Sequence, residues 1–306
     1  MPLGLLTGLG AALFWGTLDI FSALGSRRIG SLKVTAGIQL FGATFVIVLA
    51  AATGTAFPAD PFVIAGSATV GLAGAGAYLA YFTGLRIGPI AVVSGMVAAY
   101  GGLTVVLAVI IRGESLTVVQ AVGAALATVG VILTGVHFDG GLRGTKFASP
   151  GVIFAVVALV LFATMSIGSD IVIDHASWLQ VLLVSRVTNA ILTVVILASA
   201  VTFAHRIAQP VLIGEDGTDG SDGLRGRPGR RVFGLVALAG LLDVLGLVVF
   251  MYGLENAETW LVGLASSFGP AVTILAAVAF LGERLRPIQW IGLAGVLTGM
   301  IAIGLP

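Results

Sequence analysis

Long apolar stretches recur along the whole chain and constrain its fold more than any other feature. Each has about 18 to 25 residues, enough for a helix rising 1.5 Å per residue to cross a bilayer core of roughly 30 Å. Ten are predicted, at residues 3–24, 34–53, 62–85, 89–111, 116–136, 150–173, 179–203, 232–254, 259–281 and 288–305. Membrane-spanning β-strands would be shorter and would alternate polar with apolar residues. The prediction is therefore an all-α membrane protein with ten transmembrane helices.

Composition agrees with a lipid bilayer as the solvent. Of the 306 residues, 58% are hydrophobic and 9% are charged, whereas about a quarter are charged in a soluble domain. A net charge of +1 without a dense basic run argues against a nucleic-acid partner. The chain has no cysteine, and its three histidines lie between the apolar stretches, at positions 137, 175 and 205. No cofactor, metal site or catalytic residue is predicted.

The cations are distributed unevenly between the connecting segments. The connections after the odd-numbered stretches hold 13 of the 15 Lys and Arg residues. Positively charged loops stay in the cytoplasm, so both termini are predicted outside it, in what we take to be a bacterial inner (plasma) membrane. The longest connection, the polar loop 204–231, is predicted to be a flexible tether with arginines near anionic headgroups.

The chain contains an internal repeat. A shift of 169 positions superposes residues 84–135 on 253–304 with 15 identities in 52 positions, where composition alone gives roughly 5. The prediction is a first five-helix repeat at 1–136, a linker at 137–149 and a second five-helix repeat at 150–306. Because five is odd, the second copy must enter the membrane inverted. Two inverted copies that rock about a shared central site are typical of carriers that work by alternating access.

Short motifs add a family resemblance that covers nearly the whole chain. They are Phe14-Trp15-Gly16 in the first helix, Gly113-Glu114 before the fifth and Gly282-Glu283-Arg284-Leu285 before the tenth. With the duplicated unit, they resemble the EamA-like branch of the drug/metabolite transporter superfamily. The resemblance implies a ten-helix carrier with a cavity between the repeats, typically exporting amino acids or other small metabolites. A proline often interrupts the fourth and ninth helices of that family; Pro270 fits, and Gly101 stands at the matching position of the first copy.

Ionisable groups inside the spans are the first candidates for function, because they are costly in hydrocarbon. Asp243 lies near the middle of its helix and is a candidate substrate and proton-coupling site, or else a protonated structural group. Replacing it with Asn is expected to abolish gradient-driven uptake and leave folding intact. Asp19 shares a helical face with Trp15 and Ser22, a pattern that can bind a cation or serve as a structural hydrogen bond.

Arg186 shares a face with Asn189 and Thr193, which suits a substrate carboxylate or phosphate. A fixed pair between Arg186 and Asp170, across the hairpin of the sixth and seventh helices, is the stronger interpretation.

Further candidates are aromatic or small. Several aromatic residues could line a cavity or anchor the helix ends at the membrane interface; they are Tyr78, Tyr81, Tyr100, Tyr252 and Trp260. Tyr100 is preferred as a cavity residue. Pro270 removes a backbone hydrogen bond, and the neighbouring hydroxyls of Ser266 and Ser267 can replace it, so we expect a gate hinge or a static kink there. Ser266 and Ser267 are also candidate substrate-binding residues.

Some residues are predicted to be structural. Glu114 and Glu283 are expected to complement the N-terminal dipoles of helices. Five glycines are expected to allow close helix packing; they are Gly123, Gly130, Gly292, Gly295 and Gly299.

The sequence thus favours a secondary active transporter, a permease or exporter of small polar metabolites such as amino acids, coupled to proton entry through Asp243 or Asp19. A polyspecific drug efflux carrier is the alternative, and an intramembrane enzyme using Asp19 and Asp243 is weaker because no partner residues accompany them. No nucleotide-binding loop is present, so the chain is not expected to hydrolyse ATP. Its partners are expected to be the substrate, protons and the bilayer, as a monomer or homodimer.

Overall fold

The computed structural model describes residues 2–88, 90–135, 150–203, 230–269, 271–272 and 287–304, and these are almost entirely helical. The helices are α1 (Pro2–Ile29), α2 (Ser31–Thr53), α3 (Pro61–Ile87), α4 (Ile90–Ala98), α5 (Tyr100–Leu107), α6 (Val118–Gly135), α7 (Pro150–Ile173), α8 (Trp178–Phe203), α9 (Arg230–Asn256), α10 (Thr259–Ser266) and α11 (Pro287–Gly304). A π-helical turn, Ala108–Arg112, continues α5. No strand occurs in these residues, which confirms the all-α class.

Seven helical segments of the described residues are long and apolar enough to cross a membrane. They are Leu3–Ser26, Ser31–Thr53, Pro61–Ile87, Val93–Arg112, Gly151–Ile173, Trp178–Ser199 and Val232–Asn256. The apolar segments Val118–Leu133 and Trp290–Gly299 are shorter. Much of the predicted stretch 259–281 lies outside the described residues, so the count of ten stays a prediction.

The fourth stretch, predicted as one helix over 89–111, is broken. The α4 helix ends at Ala98 and α5 begins at Tyr100, and the Ala99 amide donates to Met96 three residues back. A tighter turn therefore separates the two short helices. Next to this break, Gly101 lies against Ser267 so closely that a Cβ atom would overlap its side chain.

Local signals explain the turn between α2 and α3. Gly54 ends α2 with a φ of 68°, a left-handed conformation that favours glycine. Asp60 precedes α3 and accepts a hydrogen bond from the Phe62 amide at 2.8 Å, with Pro61 as the first helical residue. Two consecutive spans are thereby joined by a short loop.

The two halves of the chain pack on each other in corresponding ways. Helix α3 of the first half packs on α7 and α8 of the second half. Correspondingly, α9 of the second half packs on α1 and α2 of the first half. The α2 helix packs on α8, and α6 packs on α11. Each of these contacts made by a helix of one half is thus repeated by the corresponding helix of the other half, as a two-repeat architecture requires.

Glycines allow the closest approach between the halves. A Cβ atom at Gly130 would lie 2.6 Å from the backbone nitrogen of Val296, and one at Gly299 would lie 2.5 Å from the carbonyl oxygen of Gly123. A Cβ at Gly295 would be 3.4 Å from Cα of Gly130. The predicted packing role of the glycines of α6 and α11 is confirmed for these residues.

The outer surface remains apolar. Large hydrophobic side chains such as Leu6, Ile110, Val118 and Ile301 are more than half exposed, and in water they would form an unfavourable surface. Hydrocarbon is the environment that suits them. The interior instead contains polar side chains, which define the site.

Candidate substrate-binding site

A cavity with an empty volume of about 610 Å³ lies between the halves. Its walls come from α1, α3, α4, α5, α7, α9 and α10, so both halves contribute. The lining residues are Trp15, Leu18, Asp19, Tyr78, Tyr81, Phe82, Ser94, Val97, Ala98, Tyr100, Phe162, Met165, Ser166, Phe250, Ser266, Ser267 and Gly269.

Asp19 is the carboxylate of this cavity. It is buried, and its Oδ2 accepts a hydrogen bond of 2.7 Å from the Tyr81 hydroxyl. The Tyr81 oxygen lies 3.1 Å from Oγ of Ser94. Since the single Tyr81 proton is directed at the carboxylate, Ser94 donates to Tyr81. The α1 carboxylate is therefore held by α3, which is held in turn by α4.

Asp243 lies behind the cavity wall. One carboxylate oxygen accepts a 2.6 Å hydrogen bond from the Tyr78 hydroxyl. The other forms an ion pair with Arg186, whose guanidinium also donates to Oε1 of Gln39. The Arg186 and Asp243 side chains are 1% and 0% exposed. Removing two opposite charges from water together is far less costly than burying either one alone.

This arrangement corrects the predicted Asp170–Arg186 pair. Asp170 instead pairs with Arg112, at 2.5 Å from its Nε, and Arg112 also reaches Asp174 at 2.7 Å. The prediction was wrong because it considered only the hairpin of α7 and α8. The π-helical turn carrying Arg112 lies beside α7, and α9 carries Asp243 to Arg186.

Glu114 corrects a second expectation. Its carboxylate accepts hydrogen bonds from the backbone nitrogens of Thr259 and Trp260, at 2.9 and 3.0 Å. It therefore stabilises a helix N-terminus, as expected, but that of α10 rather than its own α6. Glu283 lies outside the described residues.

Trp15 and Tyr100 both line the cavity, as predicted. The Trp15 Nε1 donates to the backbone oxygen of Asp243 at 3.3 Å. Its ring lies against Gly246, where a Cβ atom would be 2.5 Å from Nε1. The Tyr100 hydroxyl lies 2.7 Å from Oγ of Ser266, which connects α5 to α10 across the halves.

Other predicted site residues divide between two places. Ser266 and Ser267 line the main cavity. Arg186 and Asn189 line a smaller space of about 270 Å³, which shares Tyr78 and Met165 with the main cavity. The hinge candidate Pro270 lies outside the described residues.

Two aromatic candidates do not line the main cavity. Tyr252 is 44% exposed and packs edge-on against Trp178. Trp260 is buried, and its Nε1 donates to Glu258 at 3.1 Å. Tyr78 and Tyr81, the remaining pair, both line it.

Several cavity residues were not anticipated. Phe162 contacts the rings of Tyr78, Tyr81 and Tyr100 with centroids 5.3 to 6.1 Å apart. Nothing in its sequence neighbourhood distinguishes it from other phenylalanines. Gln39, which accepts a hydrogen bond from Arg186 and does not line the main cavity, was also not anticipated, although it carried a signal as an amide in the middle of an apolar helix.

The fold and the cavity define an integral membrane protein built from two similar helical halves around a central binding space. The model of the EamA-like transporter family matches residues 2–136 and 149–305. The chain therefore belongs to the EamA-like transporter family, a family of membrane transporters.

Solved structures support the same fold. Among them 29 chains match, and one, described as "Crystal structure of protein", superposes with a TM-score of 0.77 at 19% sequence identity. The superposition covers 98% of this chain and 96% of that one. No curated protein matches the sequence.

Proposed function

We propose that the protein is a secondary active transporter of small polar metabolites, amino acids or related amine-bearing solutes, which works by alternating access. The observation that carries the proposal is the cavity between the two halves, with Asp19 in its wall. A site shared by two packed halves can be exposed to either side of the membrane when the halves tilt.

Contacts at one end of the molecule fit such a motion. Arg112 of the first half binds Asp170 and Asp174 of the second. Gln180 donates to the carbonyl oxygen of Ala56 at 3.0 Å, across the same boundary. These polar contacts join the two halves at one end of the helices, and each can be remade with water when the halves separate.

Within the cavity the substrate would contact Trp15, Asp19, Tyr100, Ser266 and Ser267. Arg186, Asn189 and Asp243 would support the wall through Tyr78 rather than touch the substrate in this conformation. Pro270, next to the cavity residue Gly269, remains the proposed gate hinge.

Proton coupling would then depend on Asp19. The negative charge of Asp243 is already balanced by Arg186, whereas Asp19 lines the cavity and its carboxylate accepts a hydrogen bond from the Tyr81 hydroxyl. A carboxylate in such a place can be neutralised by a proton or by a cationic group, but not by both. Exchange of one for the other couples their movements.

A polyspecific efflux carrier is the second candidate. Aromatic rings dominate the lining, and flat apolar walls accept many ligands. An intramembrane enzyme with paired carboxylates is less well supported, because Asp243 is engaged by Arg186 and Tyr78.

The test is transport by the purified protein in liposomes. A panel of labelled metabolites is offered with an imposed pH gradient, and the accumulated label is analysed chemically. Accumulation of an unchanged solute supports the carrier, and turnover without net movement favours the enzyme. Asp19→Asn should abolish the gradient effect, whereas Asp60→Asn, the same change in an exposed loop, should not.

We also propose a bacterial inner membrane location with both termini outside the cytoplasm. The chain has no cysteine, so single cysteines added near each end can be labelled cleanly. Reaction of both with a membrane-impermeant maleimide in intact cells is expected. Labelling of one end alone would contradict the inverted arrangement.

A further inference from the structure

The geometry points to an amine without a carboxylate as the preferred substrate: a small organic cation with an apolar, preferably aromatic, body. This inference rests on the proposed carrier function and narrows its substrate. It follows from the side-chain hydrogen-bond donors of the described lining residues, each of which is engaged within the protein.

The main cavity is lined by eight side chains that carry an N–H or O–H group. Three of the serines give their protons to backbone carbonyls of their own helices. Ser166 donates to Phe162 at 3.0 Å, Ser266 to Gly263 at 2.9 Å and Ser267 to Leu264 at 2.7 Å.

The tyrosines and Trp15 are committed as well. Tyr78 donates to Asp243, Tyr81 to Asp19, and Trp15 to the backbone oxygen of Asp243. Because the Ser266 proton is used, Tyr100 donates to the Ser266 oxygen.

Ser94 completes the set by donating to Tyr81. The described lining thus offers an incoming ligand hydroxyl lone pairs and a carboxylate, which accept hydrogen bonds, and no unused side-chain donor.

Basic side chains do not add hydrogen-bond donors to the described lining of the main cavity. The described lining residues include no Lys, Arg or His. Arg186 lies behind Tyr78, with its guanidinium 5.8 Å from the centroid of that ring. It is 2% exposed, and its charge is balanced by Asp243.

An ammonium group matches these features. It carries donors and no acceptor, so it can bind Asp19 and the serine oxygens together. The rings of Trp15 and Phe250, with centroids 5.4 Å apart, and Phe162 provide apolar and cation–π contacts for the rest of the molecule. A substrate carboxylate would be desolvated without a donor and would face Asp19, which is unfavourable.

Three ligands of matched shape test the inference. 2-Phenylethylamine has the amine alone, phenylalanine has the amine and a carboxylate, and 3-phenylpropionate has the carboxylate alone. Their binding to the purified full-length protein is measured by titration calorimetry at neutral pH. We expect the amine to bind at least about 10-fold more tightly than phenylalanine, and 3-phenylpropionate not to compete.

Variants locate the binding. Asp19→Asn should weaken amine binding by about 10- to 100-fold, and Asp60→Asn should leave it unchanged. Size-exclusion chromatography checks that each variant folds. The ligand comparison on the unaltered protein stands even if Asp19→Asn does not fold.

The outcomes separate this inference from the proposed function. If phenylalanine binds as tightly as the amine, or if the amine shows no saturable binding, the amine preference is overturned. Uptake of phenylalanine by liposomes would in that case still support a carrier. If the amine binds as expected but is not moved across liposome membranes, carrier function is overturned and the amine site remains.

Discussion

Arg186 and Asp243 form an ion pair that is closed off from solvent and joins α8 to α9. Gln39 of α2 accepts a hydrogen bond from Arg186, and Tyr78 of α3 donates one to Asp243, so four helices from both halves meet there. The pair lies behind the cavity wall. Its first consequence concerns stability rather than transport.

Asp243→Asn is expected to destabilise the protein by about 3–5 kcal/mol, because it leaves a buried guanidinium without a counter-charge. This replaces the sequence-based expectation that the variant folds normally. Thermal unfolding in detergent measures the effect. The double variant Asp243→Asn/Arg186→Gln removes both charges and should be more stable than the single one; equal or lower stability would contradict the pairing.

Tyr78→Phe removes one hydrogen bond to the Asp243 carboxylate and keeps the ring. Hydrogen bonds to charged groups contribute about 1.5–3 kcal/mol, so the unfolding temperature should fall. Tyr252→Phe is the matched control, since Tyr252 is 44% exposed at the protein surface. A similar fall in both variants would show that the Tyr78 hydroxyl has no special role.

Gly130→Ala should destabilise the packing of α6 on α11 by about 1–3 kcal/mol, because the new methyl group overlaps the α11 backbone. Gly234→Ala in α9 meets nothing within 4 Å and should be neutral or stabilising by up to about 1 kcal/mol. The two unfolding temperatures, measured side by side, test the contact. A neutral Gly130→Ala would argue against it.

Arg112→Gln should weaken the contacts that join the two halves at one end of the helices. Ion pairs that are partly exposed contribute about 0.2–1 kcal/mol each, so losing the pairs to Asp170 and Asp174 should shift the conformational equilibrium by a few-fold. A cysteine at the cavity position Ser166 reports this through its rate of reaction with a maleimide. When the maleimide is added on the side of the membrane where Arg112 lies, the rate should rise about 2- to 5-fold in the Arg112→Gln variant. It should not rise in the control variant Arg28→Gln, which changes an exposed residue of α1.

Sequence patterns predicted the helices well and the site only in part. Trp15, Asp19 and Tyr100 were selected because polar or aromatic residues are unusual in the middle of apolar helices, and all three line the cavity. The break at Ala99 was not predicted from the residues, since Gly101 and Gly102 beside it weaken a helix but do not by themselves fix where it ends. Phe162 was missed for a similar reason.

Arg186 shows where sequence reasoning ended. Asp170 and Asp243 were both available as its partner, and proximity along the chain favoured Asp170. The distance that matters is between helix faces, and it is set by the packing of α8 on α2 and by the position of α9. Glu114, likewise, stabilises the N-terminus of a helix some 145 residues away.

By itself the sequence determined the bilayer as solvent, the helical class and the duplication, because these depend on the length and composition of local segments and on their recurrence. Tertiary structure alone decided which acid neutralises Arg186, which residues Arg112 binds and where each cavity hydroxyl directs its proton. Those properties depend on distances of about 3 Å between helices that are far apart in the chain, and no local pattern records them.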